Sequence, residues 1–187
     1  MQIKIKKFKK VQSTNDVAIK LIKKNVSEPT LITSEKQTKG RGRIGKKWIS
    51  KKGNLFISLF FKIDPKKINF KQFAILNAFL LKKVISKKIA KKVTIKWPND
   101  LLFNNYKFCG ILQELIKFKN LDFLIVGIGL NTNIAPQNKS FKSTCLKNIV
   151  SKKISNQIIL KQILLTYEKF LKETYHLTFS ELKRKYK

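Results

Sequence analysis

Leu101-Leu102-Phe103-Asn104-Asn105-Tyr106-Lys107-Phe108 reads as two short strands folded back on each other at the asparagine pair. Asparagine tolerates the left-handed backbone that a two-residue turn demands, and apolar residues flank the pair on both sides. Further along, Ile111 to Phe118 and Leu121 to Ile128 flank Lys119-Asn120 and predict a second hairpin. Two hairpins in succession imply strands that run mainly antiparallel. Upstream, Val93-Thr94-Ile95-Lys96-Trp97 is a strand ended by Pro98, and Leu55 to Ile63, dense in Phe, Leu and Ile, is a buried one. Leu31-Ile32-Thr33 adds a short strand. Ile3 and Ile5 among lysines add another, with one face expected to be buried.

Helical spacing appears in four places. Val17, Ala18, Leu21 and Ile22 follow Ser13-Thr14-Asn15-Asp16, where Ser13 or Thr14 is the expected N-cap and Asp16 sits in the first turn. Phe70 to Ala90 is the clearest amphipathic helix, Ile154 to Tyr175 a long one, and Phe179 to Tyr186 a short one. Residues 36–53 hold four of the seven glycines and form an extended loop; residues 131–143 are also loop-like. No repeat or linker interrupts the chain. The fold class is α/β (α+β): one domain with a mixed, largely antiparallel sheet, helices on one side of it, and a helical C-terminal tail.

The 187 residues suit one domain, and 43% hydrophobic content is too high for a disordered basic tail. The net charge of +32 invites a nucleic-acid reading. Its make-up argues otherwise: 39 of the 42 basic residues are Lys and three are Arg, Arg41, Arg43 and Arg184. Surfaces that read nucleic acid favour the planar fork of Arg. Abundant Lys, Ile, Asn and Phe are what codon drift in an AT-rich genome produces, so most of the charge is assigned to drift. Two cysteines, Cys109 and Cys145, make no disulfide framework or metal knuckle, and the lone His176 builds neither a histidine metal site nor a Ser-His-Asp triad. The basic stretch Met1-Gln2-Ile3-Lys4-Ile5-Lys6-Lys7 lacks the apolar run of a signal peptide and no apolar run has membrane length, so a cytoplasmic location is the expectation.

Chemistry concentrates in four stretches. In Gln37-Thr38-Lys39-Gly40-Arg41-Gly42-Arg43-Ile44-Gly45-Lys46-Lys47-Trp48, glycines allow close approach of backbone to a ligand. Arginines there, in a chain that otherwise uses lysine, point to bidentate binding of carboxylate or phosphate. It is neither a Walker A loop nor a dinucleotide fingerprint. Lys96-Trp97-Pro98-Asn99-Asp100 packs a cation, an amide and a carboxylate at a strand end; a capped surface turn is the plain alternative. Lys107-Phe108-Cys109-Gly110-Ile111-Leu112-Gln113-Glu114 sets a lysine before a glycine. Val126-Gly127-Ile128-Gly129-Leu130-Asn131-Thr132-Asn133 runs a strand into Gly-x-Gly and an asparagine suited to adenine.

Together with Ser13-Thr14-Asn15, and in this order, these stretches resemble the catalytic domain of the biotin protein ligases. The match runs through Gly-Arg-Gly-Arg-x-Gly-x-x-Trp at 40–48, Lys-Trp-Pro-Asn-Asp at 96–100, Lys-x-x-Gly-Ile-Leu at 107–112 and Gly-Ile-Gly-Leu-Asn at 127–131. The resemblance implies the class II aminoacyl-tRNA synthetase-like fold shared by biotin and lipoate ligases. It also implies a two-step reaction. Biotin and Mg-ATP give biotinyl-5'-AMP and pyrophosphate; a lysine of the biotin carboxyl carrier protein of acetyl-CoA carboxylase then takes the biotin and releases AMP. ATP and Mg²⁺ are the implied cofactors, the magnesium arriving with the nucleotide rather than in a protein-built site.

By the same resemblance, Ser13, Thr14, Asn15, Gln37, Gly40, Arg41, Gly42, Arg43, Trp48, Lys107 and Gly110 bind biotin or its adenylate. Lys96, Asn99, Gly127, Gly129 and Asn131 lie at the nucleotide, with Asn131 near adenine. Arg43, Lys107 and Asp100 are the implied catalytic residues, Asp100 near the incoming amine, and Trp48 is an apolar wall. Cys109 stands where relatives carry a small residue, a packing substitution. The expectation is a single catalytic domain over residues 1–187, without the N-terminal helix-turn-helix or C-terminal SH3-like domain of many relatives. Neither specific DNA binding nor a membrane is expected, and a homodimer is compatible with the resemblance. The rivals are a basic nucleic-acid-binding domain and a lipoate or other acyl ligase of the same fold.

Overall fold

The computed structural model describes residues 2–137 and 141–187; residues 138–140 of the expected 131–143 loop lie outside them. The chain runs β1 (Lys4–Phe8), α1 (Thr14–Lys23), β2 (Thr30–Ser34), β3 (Leu55–Ile63), α2 (Phe70–Ile89), β4 (Thr94–Lys96), β5 (Asp100–Phe103), β6 (Tyr106–Phe118), β7 (Leu121–Leu130), α3 (Leu146–Val150), α4 (Asn156–Glu173) and α5 (Phe179–Tyr186). The strands form one seven-stranded sheet ordered β1-β2-β3-β7-β6-β5-β4. Among the described strands only β1 and β2 pair in parallel, because α1 carries the chain back between them. The remaining neighbours are antiparallel, as the hairpins require. Both hairpin turns carry their two central residues at positive φ: Asn104 and Asn105 in one, Lys119 and Asn120 in the other.

Alternation along the strands makes two cores. Leu31, Ile57, Leu59, Leu124, Val126 and Ile128 pack against α2, α4 and α5 on one face. Edge-to-face aromatic pairs run through this core from Phe61 to Phe73, Phe170 and Tyr186. Ile32, Phe60, Phe123 and Ile125 face the other way and pack on Ala18 and Ile22 of α1. Helices therefore flank both faces, not one as expected, because α1 has its own apolar stripe to bury. Beyond α1 the same face continues over Ser58, Gly110, Gly127 and Gly129, which fall in two adjacent rows, Ser58 opposite Gly127 and Gly129 opposite Gly110. A cleft opens there.

Four other expectations need correction. All of β1 is exposed, with Ile5 at 42%, since it is an edge strand and only Ile3, just before it, reaches the core. The two hairpins share one long β6, which runs unbroken through Cys109-Gly110. The short α3 was not anticipated. Ser13 takes the N-cap backbone position of α1, but no side chain from Ser13 or Thr14 caps the helix. Instead the Gln37 side-chain oxygen accepts the Thr14 amide at 2.8 Å. By contrast α2 begins on a reciprocal Asn69–Gln72 capping box.

Candidate active site

The cleft encloses about 850 Å³ between the glycine-thinned sheet, the N-terminus of α1 and the 40–48 loop. Its floor is neutral and polar. The Gln37 oxygen also accepts the Thr14 hydroxyl at 3.0 Å, and the Gln37 amide donates to Ser50 Oγ at 3.1 Å. Ser58 Oγ, fully buried on β3, donates to Thr14 Oγ1 at 2.7 Å and also touches Asn15 Oδ1. Asn15 fits beneath only because residue 127 is glycine: a Cβ there would meet the Asn15 amide. Ser58 and Ser50 carried no motif signal; the register of β3 with Gly127 is what brings Ser58 in.

Loop 40–48 is an ordered ribbon. Trp48 N–H donates to Gly40 O at 2.9 Å, Lys46 N–H to Arg43 O at 3.1 Å, and Gly42 N–H to Lys46 O at 2.6 Å. Ile44 and Gly45 form the tip, both at positive φ, with Ile44 89% exposed. A β-branched residue in that region is uncommon and strained. At the base, Trp48 lays its indole on the sheet. A Cβ on Gly110 would come within 2.7 Å of Trp48 Cζ3, and one on Gly129 within 2.5 Å of Trp48 Nε1. Among the described residues that indole N–H has no acceptor. Gly40 is buried against Trp48 and Ser50 and does not line the cleft.

The two loop arginines differ in state. Arg41 makes a two-pronged pair with Glu114 at 2.9 and 2.8 Å and also meets Asp16 Oδ1 at 2.8 Å. Burial works against its charge, but the Glu114 hydrogen bond and the two carboxylates outweigh it and hold the guanidinium above its ordinary value. Arg43 instead donates to Asn99 Oδ1 at 3.2 Å. Asn99 is itself docked on β6, its amide donating to Ile111 O at 2.9 Å.

Lys107 reaches the cleft through a bulge. Leu101 pairs with Cys109 but Leu102 pairs with Lys107, so Phe108 is the extra residue. Phe108 and Cys109 both enter the α2-side core beside Leu101. Lys107 is thereby returned to the face that carries Asp100 and Gly110. Its Nζ lies 2.8 Å from Asp100 Oδ1, and 5.4 and 5.1 Å from the ring centres of Trp48 and Phe141. Phe141 and Lys142, which no motif marked, arrive because Lys107 N–H donates to Lys142 O at 2.9 Å and Thr144 N–H to Lys107 O at 2.9 Å. Burial, aided by the Asp100 charge, pushes the Cys109 thiol up to about 12, which fits a packing residue and not a nucleophile.

Of the residues singled out in the sequence, Ser13, Thr14, Asn15, Gln37, Arg41, Gly42, Arg43, Trp48, Lys96, Asn99, Asp100, Lys107, Gly110, Gly127 and Gly129 all line this cleft. Asn131 does not. It is 1% exposed, with its amide donating to Thr144 O at 3.2 Å and its oxygen accepting from Asn54 at 3.4 Å. It ties the β7 exit to neighbouring loops. Trp97 also lies outside, packed edge-on against Phe79 at 5.5 Å. Among the described residues, seven cations (Arg41, Arg43, Lys46, Lys47, Lys96, Lys107 and Lys142) line the cleft against one acid, Asp100.

The chain has clear relatives in sequence and in fold. The bifunctional ligase/repressor BirA of Bacillus subtilis is 33% identical over 165 residues, covering 85% of this chain and 51% of that protein. The biotin--[acetyl-CoA-carboxylase] ligase of Paracoccus denitrificans is 32% identical over 130 residues, covering 68% of this chain and 54% of that one. This chain thus spans about half the length of these relatives. The structure of the biotin protein ligase from Aquifex aeolicus in complex with biotin and ATP superposes with a TM-score of 0.82 at 33% identity, over 97% of this chain and 76% of that one. A bipartite lipoate protein ligase from Thermoplasma acidophilum shares the fold, with a TM-score of 0.63 at 10% identity over 99% of this chain and 91% of its own. The profile of the biotin/lipoate A/B protein ligases matches residues 7–131, and this chain belongs to that family.

Proposed function

We propose that the chain is an ATP-dependent biotin protein ligase. It joins biotin to AMP and passes the biotin to a lysine of a biotin carboxyl carrier protein of acetyl-CoA carboxylase. The observation that carries this reading is the division of one cleft into a neutral polar floor and a strongly cationic rim. A ureido ring needs neutral donors and acceptors, which Ser13, Thr14, Asn15 and Gln37 supply. A carboxylate and a triphosphate repel each other unless positive charge lies between them.

In the first step a biotin carboxylate oxygen bonds to the α-phosphorus while the bridging bond to the β-phosphate breaks, and pyrophosphate leaves. Arg43 and Lys107 offset the charge that gathers on phosphorus; Lys46, Lys47, Lys96 and Lys142 hold the polyphosphate, whose magnesium enters with the nucleotide. The 40–48 ribbon shields the anhydride from water. In the second step the carrier amine attacks the acyl carbon, AMP leaves, and Asp100, 2.8 Å from Lys107, takes the amine proton.

Labelled biotin, ATP, magnesium and a carrier domain test the reading. Label should form an adenylate and then move to the carrier, and Arg43→Ala should release the adenylate early. Wild-type protein that forms no labelled adenylate would overturn it. Lipoate that displaces biotin in the same reaction would move the assignment to the acyl-ligase branch of the family.

A further inference from the structure

The Arg41 guanidinium joins three separate parts of the chain. It grips both oxygens of Glu114 on β6 at 2.9 and 2.8 Å and Asp16 on α1 at 2.8 Å, while its backbone belongs to the glycine loop. Glu114 Oε2 also accepts the Asn15 amide at 2.5 Å. Asn15 Oδ1 in turn touches Ser58. One carboxylate therefore links the loop to the cleft floor. Two of the chain's ten acids are committed to a single arginine, in a protein with 42 basic residues to choose from. A flexible lysine could not reach both Glu114 oxygens and Asp16 together, because it lacks the planar fork.

We propose that Glu114 is a positioning residue. Through Arg41 it pins the base of the glycine loop over the cleft, and through Asn15 it couples that pin to the floor. Arg41 is then the fastening of the loop, and Arg43, Lys46 and Lys47 are the charges it presents to ligand. The consequence for catalysis rests on the biotin-adenylate reading above; the pin itself does not.

Two measurements on the full chain separate these. Ligand-free protein is digested briefly with trypsin, and cleavage after Arg43, Lys46 and Lys47 is followed by mass. Glu114→Gln should speed this loop cleavage about tenfold, the order expected for losing a charge-assisted bidentate pair, with an unchanged thermal midpoint. Arg41→Met should do the same, and the double variant should be no faster than either single one. Loop cleavage at the wild-type rate in Glu114→Gln, or single effects that multiply in the double variant, would overturn the pin. In the second arm, Glu114→Gln should lose bound labelled adenylate about tenfold faster, with retention suffering more than the saturated rate of adenylate formation. Equal losses in both would mark general damage and overturn the positioning role. If wild type forms no adenylate the proposed function fails, while the cleavage arm still decides the pin.

Discussion

Gly129→Ala is a small change with a large expected effect. The added methyl would stand 2.5 Å from Trp48 Nε1 and 2.6 Å from Cζ2, nearly an ångström inside the 3.4 Å at which ordinary contact begins. The strand has no room to yield, since Gly129 is paired with Phe56 on one side and Gly110 on the other. The Trp48 backbone is tied to Gly40 O at 2.9 Å, so the indole itself must turn away. It then leaves its place beside Lys107, whose Nζ is 5.4 Å from the ring. Forcing a methyl into a packed site costs about 1–3 kcal/mol, and about 1.4 kcal/mol is tenfold in binding. Biotin affinity should fall roughly tenfold to a hundredfold. Calorimetric titration measures this, and emission of Trp48 in a Trp97→Phe background reports the ring's displacement. Wild-type affinity with unchanged emission would refute the claim that the indole lies on the sheet only because Gly129 leaves room for it.

Asp100→Asn removes the carboxylate 2.8 Å from Lys107. Transfer to the carrier should drop about a hundredfold, the lower range for losing a general base, and adenylate formation much less; equal loss in single-turnover assays of both steps would contradict the assignment. Cys109 should resist thiol reagents at pH 8 in the folded protein and react only at the unfolding rate. Its folded value of about 12 lies above the ordinary 9.0, so its contribution to stability is full below that ordinary value and is lost as pH rises toward 12. Denaturant melts of Cys109→Ala should lack that part of the alkaline decline. Tyr167→Phe deletes a fully buried hydroxyl that donates to Asn77 Oδ1 at 2.9 Å, and the orphaned acceptor should cost about 1–3 kcal/mol in urea titrations. An unchanged midpoint would show that the bond contributes nothing.

The antiparallel sheet was legible because its turns are local. Asn104-Asn105 and Lys119-Asn120 advertise hairpins within a few residues, and α5 appears over the very residues its periodicity marked. Most cleft residues were legible for a different reason, since they lie in motifs whose order carries the resemblance. What stayed hidden depends on distance or on strand parity. The acids that hold Arg41 sit at 16 and 114; the sequence marks Asp16 only as a first-turn acid and Glu114 only as the end of the Lys107 stretch, and nothing in it ties either to Arg41. Ile5 looked buried because alternation reveals a pattern without revealing whether anything covers the strand. The ties of Asn131 to Asn54 and Thr144 were hidden too, because they join loops that are distant along the chain.

The bulge at Phe108 bears on how such motifs should be read. A strand keeps a two-state count, and each residue flips the face; the bulge inserts one tick that the count ignores. Lys-x-x-Gly here spans three steps yet delivers lysine and glycine to the same side, as Lys-x-Gly would in a regular strand. The two spellings are equivalent in space, and the longer one gains a phenylalanine for the opposite core. A gap length in this motif therefore records how the strand is kinked, and the chemistry lies in which side the amine emerges.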